Sequence, residues 1–96
     1  MRKITEESVG SFLVSSTYSK DNTEVMVGLV DVWLLLHGHK IAHRNRKTGE
    51  LRITTAGWDT PTTKERLNGL PGVSVHHSKH QLYLNDLKWD GEWVTI

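Results

Sequence analysis

Ile53-Thr54-Thr55-Ala56-Gly57-Trp58-Asp59-Thr60-Pro61-Thr62-Thr63-Lys64-Glu65-Arg66-Leu67-Asn68-Gly69-Leu70-Pro71 reads as a strand end, a corner, a capped short helix and a hard stop. Gly57 admits a backbone conformation that a side chain would forbid. Trp58 is a large ring suited to covering the end of a sheet, and is expected to be largely buried there. Thr60 is a good N-cap, and Pro61 fits the first helical position, where no N–H is needed. Thr62 with Glu65 three residues on offers a capping box as an alternative start. Both place a helix at about 62–68, with Thr63, Leu67 and Leu70 as its buried stripe. Gly69 is expected to close it in the left-handed conformation, and Pro71 blocks a restart. So short a helix needs a sheet to pack on.

The flanks read as β-hairpins. Upstream, Thr23–Val27 alternates with Val25 and Val27 on one face. Residues 29–36 are the most strongly β part of the chain, an apolar run that suggests a central strand covered on both faces. His37-Gly38-His39 turns it into a return strand over 40–46, with Ile41 inward. Thr48-Gly49 then turns into a strand over 51–55, with Leu51 and Ile53 on one side and Arg52 and Thr54 on the other. Downstream, strands are expected over 73–77 and 80–84. A last hairpin is expected to pair 87–89 with 92–96 across Asp90-Gly91, the strongest hairpin signal in the chain. One of Trp89 and Trp93 then faces inward and the other outward. Residues 1–22 are expected to be an N-terminal arm or short helix, with Val9, Phe12 and Leu13 at helical spacing, followed by a polar loop. The fold class is therefore α+β. A single domain over 23–96 carries an antiparallel, hairpin-built sheet, with one short helix after the third or fourth strand.

Composition narrows the function classes. Ninety-six residues suffice for one domain with a modest core. Twelve Lys and Arg against eleven Asp and Glu leave a net charge of +1, so no global field draws the chain to DNA or a membrane. Without cysteine there is neither a disulfide nor a thiolate site, which is compatible with a reducing cytosol. Met1-Arg2-Lys3 is basic, but residues 4–11 are mixed and polar, so no signal peptide is expected. The longest apolar run, 32–36, is far too short to span a bilayer.

The combination Leu36-His37-Gly38-His39-Lys40-Ile41-Ala42, then 54–69, then Trp89-Asp90-Gly91-Glu92-Trp93 resembles a family of small tailed-bacteriophage proteins of unknown function. The likeness covers roughly 22–96 and rests on the long motif TTAGW-x-T-x-TTK-x-RLN-GLP. It implies a phage-encoded accessory protein of the host cytoplasm and implies no reaction. The family usually carries asparagine where His39 stands, which the resemblance sets against His39 as an indispensable ligand or acid–base group.

Six histidines fall into two groups, His37, His39 and His43, then His76, His77 and His80. Alternate histidines on a strand can hold zinc. Here His37 and His39 flank a turn, and no cysteine or nearby carboxylate joins them, so surface histidines are the plainer reading. No metal and no cofactor is expected. A histidine- or metal-dependent nuclease is the competing class, and no Asp/Glu cluster with a lysine supports it. Residues 37–52 hold Lys40, His43, Arg44, Arg46, Lys47 and Arg52 against Glu50. A basic hairpin of this kind can follow a phosphate backbone, with Arg44, Arg46 and Arg52 on one face. Lys64 and Arg66 would be neighbours near the helix N-terminus, and Trp58, Tyr83 or Trp89, where exposed, could stack bases. The plainer reading is a solvated, charged hairpin. The sequence is therefore read as a non-enzymatic binding protein whose partner is a host protein or a single-stranded nucleic acid, with no membrane partner. A structural component or homodimer is a further alternative.

Overall fold

The computed structural model describes residues Arg2–Ile96. Apolar residues at helical spacing close the N-terminal segment into α1 (Lys3–Leu13), which buries Ile4, Thr5, Ser8, Val9 and Phe12. The short-helix reading therefore holds, but α1 is no arm. Phe12 and Val9 belong to the main hydrophobic cluster, together with residues from both sheets. After it come β1 (Tyr18–Lys20), β2 (Thr23–Val27), β3 (Asp31–Leu36), β4 (His39–Asn45) and β5 (Leu51–Ile53). The second helix, α2 (Pro61–Asn68), is followed by β6 (Val75–Ser78), β7 (Gln81–Leu84), β8 (Leu87–Lys88) and β9 (Val94–Thr95). The α+β class is as expected. The helix follows the fifth strand, because Tyr18–Lys20, read as polar loop, pairs with β2.

All pairings are antiparallel. Six strands form one sheet in the order β1-β2-β3-β4-β5-β9, and β6-β7-β8 form a second. The expected hairpin across Asp90-Gly91 does not exist. β8 pairs with β7, whereas β9 joins the large sheet beside β5, so Asp90-Gly91 is a crossover between sheets. Hydrogen bonds explain the diversion. The Gly91 carbonyl accepts from the Thr55 N–H (2.9 Å) and the Thr54 hydroxyl (2.6 Å). Asp90 Oδ1 accepts from the Glu92 N–H (3.0 Å), an Asx turn that mimics hairpin chemistry. Gly91 has φ 85°, and a Cβ there would lie 2.4 Å from the Thr55 hydroxyl. Trp89 turns inward and donates its indole N–H to the Glu92 carbonyl (3.0 Å), while Trp93 stays partly exposed.

The helix cap is as read: Thr60 is extended, and its hydroxyl accepts from the Thr63 N–H (3.2 Å). Glu65 forms no capping box. Its carboxylate accepts from the Thr5 hydroxyl (2.8 Å) and the Arg2 N–H (3.0 Å), tying α2 to α1. These bonds hold Glu65 below its ordinary pKa, the Thr5 hydroxyl being the main cause. Gly69 is right-handed (φ −75°), not left-handed as expected. Its role is close approach, since a Cβ would meet Thr5 Cγ2 at 2.8 Å and Val9 Cγ2 at 3.0 Å.

One irregularity sets which residues face solvent. Leu34 pairs with Ala42 and Leu35 with Lys40, so Ile41 is an extra residue, a β-bulge. Beyond it the alternation of β4 reverses phase. Both Ile41 and Ala42 are buried, and His43 rather than Arg44 turns outward. The inner face, with Val25, Val32, Leu34, Ala42 and Ile53, meets the main cluster.

Candidate functional site

The bulge scatters the basic residues expected to act together. Arg44 lies on the inner side, opposite Leu51, and caps α1. Its guanidinium donates to the Phe12 carbonyl (2.9 and 3.2 Å) and the Ser15 hydroxyl (2.6 Å), at the negative end of the helix dipole. Arg46 donates to the Gly28 carbonyl (2.7 Å) and clamps the turn between β2 and β3. Lys64 contacts His77 Nδ1 (2.7 Å), and the other nitrogen of that ring lies 3.6 Å from Asp59.

Arg66 is fully buried, so its expected place at a surface phosphate site is corrected. It donates through Nε to Thr23 (3.1 Å) and through Nη1 to Thr5 (2.7 Å), while Nη2 has no partner among the described residues. Burial lowers its pKa, Arg2 lowers it further, and Glu65 opposes both. A buried charge with hydroxyl partners is costly to place and fixes how α1, α2 and β2 meet.

Of the expected set, only Arg52 reaches the outer face of the large sheet. The register sets Met26, Trp33, His43, Arg52 and Thr95 in one row across five strands. Trp33 is the centre of an aromatic and cationic cluster. The His43 ring is 4.4 Å from it, and Trp93 meets it edge-on at 6.2 Å. Lys40 Nζ lies 4.3 Å above the Trp33 ring, and the Arg52 guanidinium 5.4 Å from the Trp93 ring. Both cations are exposed. Asp31 Oδ1 accepts from the His43 Nε2–H at 2.6 Å. Acidic Glu24 and Asp31 stand on β2 and β3, and the cations stand on β4 and β5. Any polyanion on this face would therefore run along the β4–β5–β9 side.

Sequence reasoning missed Trp33, Lys40 and Trp93 as one group. Their row depends on the bulge at Ile41 and on the β5–β9 pairing, and neither has a local signal. The run over 29–36, expected to be covered on both faces, is fully covered on one: Val32, Leu34 and Leu36 face the core, while on the other face Trp33 stays half-buried and Asp31 exposed.

A second feature is a cleft of about 380 Å³ beside the β3–β4 turn. Leu36 and Ile41 form its apolar floor. His39 and Trp58 form a wall, their rings 5.6 Å apart and tilted by 34°. Trp58, expected to be buried, is 54 % exposed. Ala56 and Gly57 both have positive φ (55° and 81°), and this tight turn swings Trp58 outward, away from the sheet end. The remaining histidines disperse: His76 stacks on Tyr83, His77 joins Lys64 and Asp59, and His80 occupies a turn. Among the described residues, no three His, Asp or Glu side chains are grouped to hold a metal ion, and no helix is long and apolar enough to cross a membrane.

No curated protein and no solved structure matches the chain. The family described as Kyanoviridae Gp96 protein matches residues 1–95. The match takes in α1 as well as the segment that carried the phage resemblance. The chain belongs to the Kyanoviridae Gp96 family, a family of phage proteins.

Proposed function

We propose that this phage protein is a non-enzymatic accessory protein that binds single-stranded nucleic acid on the outer face of its large sheet. One observation carries the reading: two indoles, Trp33 and Trp93, share this face, each with an exposed cation lying on it. Bases stack on aromatic rings whatever their sequence, for roughly 1–3 kcal/mol per base. An exposed cation–π contact is worth only about 0.5–1 kcal/mol. A phosphate can therefore draw Lys40 and Arg52 off the rings and leave the indoles to the bases. The cations act as pre-placed covers that the ligand displaces. Host cytoplasm is the location that matches this reading. A host protein would meet the same Trp and Arg residues as binding anchors.

The test is fluorescence anisotropy of a labelled single-stranded oligodeoxynucleotide over a range of salt. Two phosphate contacts on a single strand give a log–log slope of about −1.4. The Trp33→Ala/Trp93→Ala double variant should lose at least tenfold in affinity and keep that slope. Lys40→Ala/Arg52→Ala should flatten it. No binding at low salt, or binding that survives both double variants, rejects the nucleic-acid reading in favour of a host protein.

A further inference from the structure

The Trp58 cleft is separate from the Trp33–Trp93 cluster and differs in chemistry. None of its lining residues is Asp, Glu, Lys or Arg. The enclosed part of a ligand is therefore not cationic, because a buried positive charge would find no carboxylate there. The floor is aliphatic, the wall is a pair of flat rings, and the rim is hydroxyl and imidazole. Thr60 and Thr63 bond each other (3.0 Å), and the Thr55 hydroxyl lies 3.4 Å from the Gly91 carbonyl. Among the described residues, the Thr62 hydroxyl, both ring nitrogens of His39 and the Trp58 indole N–H have no hydrogen-bond partner. The cleft thus offers a stacking plate with unused donors and acceptors around it. Its volume lies within the roughly 300–1,000 Å³ of small-molecule sites.

We infer that this cleft is a binding site for a planar heterocycle with hydrogen-bonding groups on its edge, of the nucleoside class. Trp58 is the stacking plate, and Thr62 with His39 reads the edge. An apolar aromatic side chain of a partner would also stack, but it would leave the edge groups unpaired once water is excluded. A flat ring with polar groups on its edge is the selecting feature, and a free nucleoside supplies both.

The experiment is a ¹H–¹⁵N correlation titration of the full chain with adenosine, and with p-cresol as the analogue of a partner's tyrosine side chain, a single ring with a single polar group. Adenosine should give saturable shifts at the Trp58 indole, Thr55 and Thr62, with p-cresol at least tenfold weaker. Trp58→Ala, at an exposed position, should abolish the saturation. Thr62→Val, which keeps shape and removes the hydroxyl, should weaken adenosine about fivefold. The Trp33→Ala/Trp93→Ala variant should bind adenosine as the parent does, which separates this site from the proposed strand-binding face. The inference is overturned by the absence of saturable shifts at millimolar adenosine, by p-cresol binding as tightly, by unchanged binding in Trp58→Ala, or by loss of adenosine binding in the Trp33→Ala/Trp93→Ala variant.

Discussion

Two neighbouring rows of side chains cross the same five strands one residue apart. Val25, Leu34, Ala42, Ile53 and Val94 face inward, and the first four are almost wholly buried. Met26, Trp33, His43, Arg52 and Thr95 face outward. The backbone supporting them is shared, so the contrast lies in the side chains alone. The inner row holds small and branched aliphatics that fill space under α1. The outer row holds two rings, Trp33 and His43, and the cation Arg52, and Met26 at its edge is 49 % exposed. Stability and surface chemistry are thus carried by alternate residues of one sheet, and a substitution can address either without the other.

The contrast is sharpest at Leu34 on the inner row. Leu34→Ala should cost about 3–5 kcal/mol, read as a fall in denaturant midpoint, because the side chain is fully buried in a packed core. Arg66→Ala ranks close behind, at about 3–4 kcal/mol, as the Thr5 and Thr23 hydroxyls lose their shared donor and a cavity opens. Gly69→Ala should cost about 1–3 kcal/mol by forcing α1 away from α2. A Gly69→Ala variant as stable as the parent would show that the helices are free to separate.

Glu65 gives a smaller, pH-dependent effect. Its folded pKa lies below its ordinary 4.5, so its contribution is present above that value and is lost as pH falls through the folded one. Glu65→Gln should therefore flatten the loss of stability on the acid side of about pH 4.5, and thermal melts at pH 3 and pH 7 measure it. The smallest change belongs to the outer row. Trp33→Ala/Trp93→Ala should lower stability by about 1–2 kcal/mol, less than Leu34→Ala alone, since neither ring belongs to the buried core. An outer-row cost equal to the inner-row cost would erase the distinction between the faces.

Local chemistry was legible and long-range pairing was not. Thr60-Pro61 marked the start of α2, and His37-Gly38 and Thr48-Gly49 marked real turns; one of Trp89 and Trp93 is inward and the other outward, as expected, but the hairpin from which that was argued does not exist. Asp90-Gly91 misled because its Asx turn has the chemistry of a hairpin, while Thr54 and Thr55, far back in the chain, take the Gly91 carbonyl. Gly69 misled because right-handed closure followed by a crowding helix leaves the same residue in the sequence. The basic hairpin was legible as composition and illegible as a surface. A single extra residue at Ile41 turned Arg44 inward to α1 and left Arg52 outside with two tryptophans.

The most direct measurement of the outer-face claim is ¹H–¹⁵N shift mapping of the full chain on addition of an oligothymidylate at low salt. The indole N–H signals of Trp33 and Trp93 and the amides of Lys40, His43 and Arg52 should move together and saturate, with α1 and the inner row unchanged. Shifts confined to the exposed hairpin tip at Arg46 and Lys47, or no saturable shift at all, would contradict it.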